Sequence, residues 1–493
     1  MMQNLTIFGL MVVVVIIYWM NNPIGHDKEF RKRCLVNWLT IGLAYAFLYM
    51  GRYNINAATA ALGENGGLTG ADFGIIFGAG TWTYAASLFI NGPLVDKIGG
   101  YIGILIGLIG SCIMNVALGI ATYLFIKGNL DLPIIPTLAV IYSINMYFQS
   151  FGAASIVKTN SNWFHVKERG IAGGIFGTLI AMGLFFSFDW SSAIRKATNI
   201  NLDAAQLDSF QIFIRDMLGT AGGTTNAYWY LFFIPAAILA LFVVLVFFLV
   251  KETPKDAGLK NFDTEDASSG EMDRKFTTME IIKEKILGNP IIITVAVIEL
   301  CSGVIRQGVM QWLPRFNEKM HFTDAAAFIP KNWGLLLCLA GTLGGMFAGI
   351  ISDKVFKSRR IPSALILYVI LFIGAILMTH GIFTGNYFEL GAAAILVSFA
   401  VIGVHGMLSG VLSQDLLGRK GAATGAAMFD GCVYIGTGIQ SLALGYITEW
   451  NWNYWPVFIL PFTLIGIVLC TRVLKAFPEK KKTGDATAEP VKA

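Results

Sequence analysis

The sequence contains few charged residues and none of the short motifs that mark common soluble enzymes. Asp, Glu, Lys and Arg make up 14% of its 493 residues, whereas about a quarter of a soluble domain is charged. No zinc-ligand spacing, P-loop, GxGxxG or GxSxG pattern occurs in a soluble context. These absences exclude a chain made mainly of soluble domains, and we predict a protein that is not an enzyme and that holds no metal or cofactor.

The net charge of the chain is also small, at +5. Its basic residues cluster in particular loops, which is typical of membrane topology and does not indicate a nucleic-acid partner. The six cysteines lie in or beside apolar segments, and no two are close in sequence. We therefore expect the cysteines to pack as small apolar residues and not to form a disulfide framework.

Long apolar runs are what the sequence has in abundance, since apolar residues make up 55% of it. A helix that spans a bilayer needs about 20 mostly apolar residues. Runs of that length predict about thirteen helices, near 5–20, 35–61, 72–95, 101–126, 134–157, 170–190, 226–250, 290–313, 331–352, 362–383, 389–413, 421–447 and 454–475. The fold class is therefore predicted to be an all-α polytopic membrane protein embedded in a lipid bilayer.

The first apolar run, 5–20, is separate from the rest. It could be a signal peptide, but no A-x-A-like site follows it and no basic residue precedes it. We favour an extra anchoring helix ahead of a twelve-helix body. The predicted domains are an N-terminal helix with a basic segment, a six-helix bundle, a linker, a second six-helix bundle and a tail, at 1–34, 35–250, 251–289, 290–478 and 479–493.

Lys and Arg in short loops predict the orientation, because they favour the cytoplasmic side. They are frequent before the first body helix, in the linker and in the tail, whereas 62–71, 384–388 and 448–453 contain none. Two exceptions are the longer segment 191–225 and the loop after the seventh body helix, which both carry basic residues. The balance places the body termini and the linker in the cytoplasm.

Two features repeat between the predicted bundles. A Gly-x-x-x-Asp-Lys element ends the second helix of each bundle and contains Asp96 in the first and Asp353 in the second. Arg52 and Arg306 lie inside apolar helices at nearly the same offset. The shared spacing indicates a duplicated six-helix unit, a design that often places a transport site between the repeats.

The two arginines are the strongest candidates for a binding site. An arginine at the centre of a membrane helix costs about 2.5–3.5 kcal/mol, so each should face a cavity or a partner. The planar guanidinium suits bidentate contacts with phosphate or carboxylate. We therefore predict that Arg52 and Arg306 meet between the bundles and bind a dianion. An internal ion pair or a side chain that snorkels to the interface is the alternative for each.

Other polar residues within apolar helices could complete the site. Glu299 and Asp430 could take a coupling proton or hold an arginine when the site is empty, although Asp430 could instead make a structural hydrogen bond near a Gly-rich bend. The remaining candidates for a substrate path are Tyr49, Asn54, Gln149, Gln307, Gln311, Trp312 and His405. We favour a core histidine over a ligand as the role of His405, and packing is the usual role of aromatic residues in membrane helices.

The paired acidic elements could form gates at the cytoplasmic side. Asp96 could pair with Arg169, and Asp353 with Arg419, when the opposite side is open. Solvated loop charges are the alternative for these residues.

The motifs resemble the major facilitator superfamily and, within it, the organophosphate:phosphate antiporters that carry glycerol 3-phosphate and hexose phosphates. The resemblance covers 35–478 and is most specific in the seventh body helix. The residues that carry it are Tyr49, Arg52 and Asn54 in a Tyr-x-x-Arg-x-Asn pattern, and Arg306, Gly308, Trp312 and Pro314 in an Arg-x-Gly-x-x-x-Trp-x-Pro pattern. Lys158 falls near a basic position of that family and could take part in coupling or ion pairing.

The resemblance implies that Arg52 and Arg306 hold phosphate, and that inorganic phosphate exchanges for a small phosphorylated metabolite by alternating access. Leu88 and Ile180 replace the lysine and histidine of glycerol-3-phosphate carriers, so the organic substrate stays open. We expect a monomer in a bacterial inner membrane. A proton-coupled organic anion symporter and a transporter-like sensor of sugar phosphate are the alternatives.

Overall fold

The computed structural model describes residues 2–64, 68–165, 168–264, 288–357 and 359–474. Every regular element in these ranges is a helix, which confirms the predicted all-α fold class. The predicted tail 479–493 and the linker residues 265–287 lie outside the described ranges.

An N-terminal helix, α1 (Met2–Met20), precedes the first bundle. The first bundle contains α2 (Lys28–Glu64), α3 (Gly70–Ile98), α4 (Gly100–Ile126), α5 (Ile134–Gln149), α6 (Phe151–Trp163), α7 (Arg169–Phe185) with a π-helical turn (Phe186–Trp190), α8 (Ser191–Ala197), a 3₁₀ turn (Ala204–Gln206), α9 (Ser209–Leu218) and α10 (Tyr230–Leu249). Because α5 and α6 together make one crossing, and α7 and α8 another, this bundle crosses the membrane six times.

A 3₁₀ turn (Lys255–Ala257) lies in the linker. The second bundle contains α11 (Pro290–Met310), α12 (Trp312–Met320), a 3₁₀ turn (Asp324–Ala327), α13 (Phe328–Lys331), α14 (Trp333–Ile350) with a π-helical turn (Ile351–Val355), α15 (Arg360–Thr384), α16 (Tyr387–His405) with a π-helical turn (Gly406–Leu412), α17 (Ser413–Trp450) and α18 (Tyr454–Val473).

Each predicted apolar segment coincides with one of these helices or with two in succession, and the short helices α8, α9, α12 and α13 are additional. Twelve of those described, α1 among them, are long and apolar enough to cross a membrane, and α17 adds a helix of 38 residues. The chain is therefore a multi-pass integral membrane protein.

Local sequence signals set several helix ends. Thr69 and Asp72 form a reciprocal capping box at the start of α3, which satisfies two backbone donors that the helix leaves free. Asn289 caps α11 by accepting from the backbone N–H of Ile291. Pro290 then stands at the first helical position, where the missing N–H costs nothing.

Two basic residues that depart from the predicted loop pattern, Arg215 and Arg195, have structural partners. Arg215 donates to the backbone carbonyls of Ala197, Leu202 and Asn199, and so fastens α9 to the end of α8. Arg195 forms an ion pair with Glu318 of the second bundle. These arginines are held by protein atoms, which explains why they occur outside the regions that the loop rule assigns to the cytoplasm.

The two bundles are joined by polar contacts at one end of the interface. We call the face where α10 and α11 meet the linker the linker end, and the opposite face the far end. At the far end, the backbone N–H of Gly70 donates to Glu449 Oε1 at 2.7 Å. Asp189 accepts from the backbone N–H groups of Gly334 and Leu335 at the start of α14, at 2.7 and 3.0 Å. These contacts close the interface at the far end.

Helix α1 packs on the outside of the first bundle, against α7. Ile7, Val14 and Tyr18 are buried in this contact, while the opposite face exposes apolar side chains such as Phe8 and Val12. A helix with one buried face and one exposed apolar face suits a position between protein and lipid. The 5–20 segment is thus a packed extra helix, as predicted.

Candidate functional site

Two glycines bring α11 and α17 into close backbone contact. A Cβ at Gly303 would overlap the backbone carbonyl of Val433, and a Cβ at Gly436 would overlap that of Leu300. Because small residues let membrane helices approach closely, this crossing is fixed by the two glycines. It brings Tyr434 of α17 next to Arg306 of α11.

Arg52 lies in the middle of α2, fully buried, and its guanidinium is held on several sides. Its Nη1 donates to the hydroxyl of Tyr434 at 2.8 Å. Its Nη2 donates to the hydroxyl of Tyr84 at 3.3 Å, and both Nε and Nη2 donate to Gln149 Oε1 at 3.4 and 3.3 Å. Helices α2, α3, α5 and α17 therefore all contribute to positioning this one charge.

Arg306 faces the same region with far fewer partners. The residue is 9% exposed, yet its Nε and Nη2 atoms are buried and have no hydrogen-bond partner within the described part of the chain. Its guanidinium carbon lies 5.8 Å from the ring centroid of Tyr434, and that of Arg52 lies 6.0 Å from the same centroid. Both guanidinium groups thus lie near one aromatic ring. Buried donors normally have a hydrogen-bond partner, so the two nitrogens of Arg306 are an exception.

Tyrosines form most of the wall around the two arginines. The guanidinium carbon of Arg52 lies 4.7 Å from the ring centroid of Tyr49 and 4.6 Å from that of Tyr84. The rings of Tyr84 and Tyr434 are 4.3 Å apart, although they belong to different bundles. Cation–π attraction stabilises a guanidinium in such surroundings without neutralising it, so the charge stays available to an anion.

Tyr84 and Tyr434 were not among the predicted site residues. One signal in the sequence could have identified Tyr434, because it lies one helical turn after Asp430 in the same apolar helix. Tyr84 had no such neighbour, because its role depends on which helix packs against α3.

Predicted site residues Gln307 and Gln311 form a polar chain across the interface. Gln307 Nε2 donates to the hydroxyl of Tyr53 at 2.9 Å, and Gln311 Nε2 donates to Gln307 Oε1 at 3.1 Å. Asn56 Nδ2 then donates to Gln311 Oε1 at 2.8 Å. The chain runs from the arginines toward the far end and links α2 to α11.

Glu299, His405 and Asp430 meet within the second bundle. His405 Nδ1 lies 3.2 Å from Glu299 Oε2, and His405 Nε2 lies 3.7 Å from Asp430 Oδ1. Ser302 donates to Glu299 Oε2 at 2.9 Å, and Ser409 donates to Asp430 Oδ1. The predicted direct pairing of an acid with Arg306 is replaced by this histidine-centred cluster.

Two predicted lining residues lie away from the arginines. Asn54 points into the first bundle, where its Nδ2 donates to Asn115 Oδ1 at 2.8 Å and to the carbonyl of Leu231 at 3.1 Å. Trp312 is buried nearer the far end, where its Nε1 donates to Gln440 Oε1 at 3.2 Å. Helical rotation explains the first case, since Asn54 is two residues from Arg52 and points to a different side.

The predicted gate residues lie at the linker end, where each acid pairs within its own bundle. Lys158 Nζ lies 3.5 Å from Asp96 Oδ1, and Arg360 Nη1 lies 2.6 Å from Asp353 Oδ1. The side chains of Arg169 and Arg419 fall outside the described part of the structure, so pairs that involve them stay predictions.

The arrangement can hold an anion, and it does not resemble a metal centre or a catalytic triad. In the described residues, no group of three or more His, Cys, Asp or Glu side chains could hold a metal ion. What converges instead is two guanidinium groups, hydroxyl groups and amides. These are the donors that recognise phosphate or carboxylate oxygens.

Curated relatives with assigned roles cover most of the chain. It is 26% identical over 463 residues to the glycerol-3-phosphate transporter of Bacillus subtilis, covering 90% of this chain and 92% of that one. It is 23% identical to the probable hexose phosphate transport protein of Chlamydia trachomatis, with 90% and 92% covered. It is 23% identical to the membrane sensor protein UhpC of Salmonella typhimurium, with 88% and 91% covered.

Solved structures share the fold. A bacterial homolog of the human lysosomal transporter Spinster, in an inward-facing and unoccupied conformation, superposes with a TM-score of 0.68 at 15% identity, covering 92% of this chain and 98% of that one. The sequence matches the Major Facilitator Superfamily over residues 41–188 and 217–441. Two six-helix bundles around a central cationic site, together with this match, identify a transporter and not an enzyme: the chain belongs to the Major Facilitator Superfamily.

Proposed function

We propose that the protein exchanges a phosphorylated organic metabolite for inorganic phosphate by alternating access. The observation that carries this proposal is the pair of buried guanidinium groups near Tyr434, one of which keeps two nitrogens without a partner among the described residues. Phosphate oxygens suit such donors because Arg binds them through paired, charge-assisted hydrogen bonds. Relatives named as glycerol-phosphate and hexose-phosphate transporters support the choice of an organic phosphate.

Exchange follows from the cost of the empty site. Without an anion, Arg52 and Arg306 leave two positive charges in a medium of low dielectric constant. Movement of the bundles past each other would carry these charges through the apolar interface, so the empty carrier should reorient slowly. A bound phosphate group compensates both charges and allows reorientation in either direction. We therefore expect obligatory exchange and little net flux of a single substrate.

Polar contacts of Asp189, Glu449 and the Asn56–Gln311 pair hold the two bundles together at the far end. We propose that this carrier has its linker end in the cytoplasm of a bacterial inner membrane, because Lys and Arg in short loops favour that side. We propose that it works as a monomer, because both arginines come from one chain.

Counterflow in proteoliposomes tests the proposal. Vesicles loaded with unlabelled phosphate should accumulate labelled phosphate transiently, and a panel of phosphorylated metabolites added outside should compete according to their fit. Arg52→Lys and Arg306→Lys should each reduce counterflow by about two orders of magnitude, since lysine keeps the charge but loses the planar fork. Arg472→Lys, at an exposed position near the end of α18, is the matched control and should behave like the wild type.

Three outcomes separate the candidate functions. Phosphate counterflow that survives both lysine substitutions would refute the assignment of the arginines. Uptake that needs a pH gradient but no internal phosphate would favour a symporter. Binding of a sugar phosphate without any flux would favour a sensor, the role named for the Salmonella relative.

A further inference from the structure

The cluster of Glu299, His405 and Asp430 is a second charged centre in the membrane, and phosphate exchange does not require it. Glu299 is fully buried, and its Oε1 atom has no hydrogen-bond partner. Its other oxygen, Oε2, is bound by Ser302 and faces His405. A carboxylate oxygen that is buried and unpartnered is costly unless it accepts a proton or a donor.

The geometry of His405 gives the cluster room for one additional proton. Both ring nitrogens face a carboxylate oxygen, at 3.2 Å toward Glu299 and 3.7 Å toward Asp430. A neutral imidazole carries one N–H only, so it can donate to one carboxylate but must turn a lone pair toward the other. Adding a proton, either to the imidazole or to one carboxyl, gives every close pair a donor and an acceptor.

The cluster is close enough to the arginines for their charges to interact. Glu299 and Arg306 lie two helical turns apart on the same face of α11. Asp430 precedes Tyr434 by one turn of α17, and the ring of Tyr434 lies near both arginines. Other titratable side chains that face the cluster are Cys301 of α11, Tyr84 of α3, Tyr368 of α15, Cys432 of α17 and Cys470 of α18. Phenols and thiols are ordinarily neutral at pH 7, so Arg306 is the charged neighbour of the cluster.

We propose that Glu299, His405 and Asp430 form a proton-binding site that fills when phosphate binds between Arg52 and Arg306. The inference rests on the proposed phosphate site. When the site is empty, the positive charge of Arg306, two helical turns from Glu299, is the attraction that favours ionised acids in the cluster. A phosphate dianion then adds two negative charges in a buried region, where uncompensated charge is strongly unfavourable.

Proton uptake from water relieves that imbalance. The proton binds to a nitrogen or oxygen of the cluster when phosphate enters, and it returns to water when phosphate leaves; no other bond changes. The carrier would then move protons together with its phosphorylated substrate. Exchange of unlike substrates would become sensitive to a pH gradient, while exchange of phosphate for phosphate would not.

Calorimetry of phosphate binding to the purified full-length chain tests this directly. The heat of binding is measured in several buffers of different ionisation enthalpy at about pH 8, where a phosphate group is mainly dianionic. The dependence of the heat on the buffer counts the protons taken up per phosphate bound. The wild type should take up close to one proton. Glu299→Gln and Asp430→Asn should each lower this number by at least half while they still bind phosphate.

A matched control comes from another carboxylate–histidine pair in the same bundle. Glu389 Oε1 lies 2.9 Å from His380 Nδ1 near the far end, where His380 is exposed. Glu389→Gln should leave the proton count unchanged. The two test substitutions lie on different helices, so if one variant fails to fold, the other still tests the site. The number of protons that the wild type takes up tests the proposal without either variant.

The outcomes also distinguish this inference from the proposed function. Phosphate binding with no proton uptake in the wild type would overturn the proton site and leave the phosphate site standing. Equal uptake in the wild type and in both test variants would place the proton on the ligand or elsewhere, and would also overturn it. An absence of phosphate binding in the folded wild type would overturn both.

Discussion

Arg52 and Arg306 occupy corresponding places in the two bundles, but their surroundings differ. Arg52 donates to Gln149, Tyr84 and Tyr434, whereas Arg306 keeps two buried nitrogens without partners. The first arginine is held in place by the protein, and the second is left with donors to spare. The duplicated unit has therefore diverged into a positioned cation and an unsatisfied one.

This difference suggests how one site can be both stable and responsive. A fully bonded arginine gives the anion a fixed docking point with little ordering cost on binding. An arginine with unpartnered donors carries an electrostatic cost that the ligand relieves. We therefore expect phosphate binding to move the second bundle more than the first. The polar chain through Gln307 and Tyr53 joins the two bundles beside this arginine.

Replacing each arginine by methionine should give the largest contrast. Arg52→Met should lower the free energy of unfolding by about 1–3 kcal/mol, because it leaves the buried Gln149 Oε1 without its donor. Arg306→Met should leave stability unchanged or raise it, since it removes a buried charge with unpaired donors. Thermal unfolding in phosphate-free detergent measures both. Equal losses of stability would show that the two surroundings do not differ in energy.

Removing the side-chain oxygen that accepts from Arg52 should leave Arg52 with fewer hydrogen-bond partners, as at Arg306. Gln149→Leu removes the oxygen that accepts from both Nε and Nη2, and we expect a loss of about 1–2 kcal/mol in stability. Added phosphate should recover more stability in this variant than in the wild type, because it supplies the missing acceptor. Unfolding temperatures with and without phosphate give the comparison. A variant that gains no more from phosphate than the wild type would contradict the idea.

Removing the hydroxyl of Tyr434 should have a smaller effect than replacing the arginines or Gln149. Tyr434→Phe removes the acceptor of Arg52 Nη1 at 2.8 Å but keeps the ring that both arginines face. Phosphate affinity should fall about fivefold, the equivalent of about 1 kcal/mol for one hydrogen bond. Tyr446→Phe, an exposed tyrosine of the same helix, is the control. A phosphate affinity equal to that of the wild type would show that the hydroxyl does not position Arg52.

The helices were predictable because their signal is local. Runs of about 20 apolar residues located the described spans, with ends that differ by up to about eight residues from those of the helices, and the short apolar run at 5–20 is the packed helix α1. The segment 191–225 was treated as an outer loop, yet it contains α8 and α9. These helices are too short to give a membrane signal, and α9 depends on capping by Asp208 and on the bonds of Arg215.

The site was only partly predictable, because rotation and packing decide what faces what. Gln149 and Tyr49 lie beside Arg52 as expected. Asn54 does not, because its place on α2 turns it toward α4 and α10. His405 was expected to line the substrate path and lies between two acids instead. That position depends on how three helices of the second bundle meet.

The sequence by itself determined the long apolar spans, the division into two bundles and the presence of two arginines in corresponding helices, because hydropathy and repeat spacing are local properties of the chain. Only the tertiary structure decided that Tyr434 lies near both arginines, and that Arg52 has hydrogen-bond partners while two nitrogens of Arg306 have none among the described residues. The close crossing of α11 and α17 at Gly303 and Gly436 sets both. A contact of this kind depends on the relative rotation of distant helices, which no local pattern encodes.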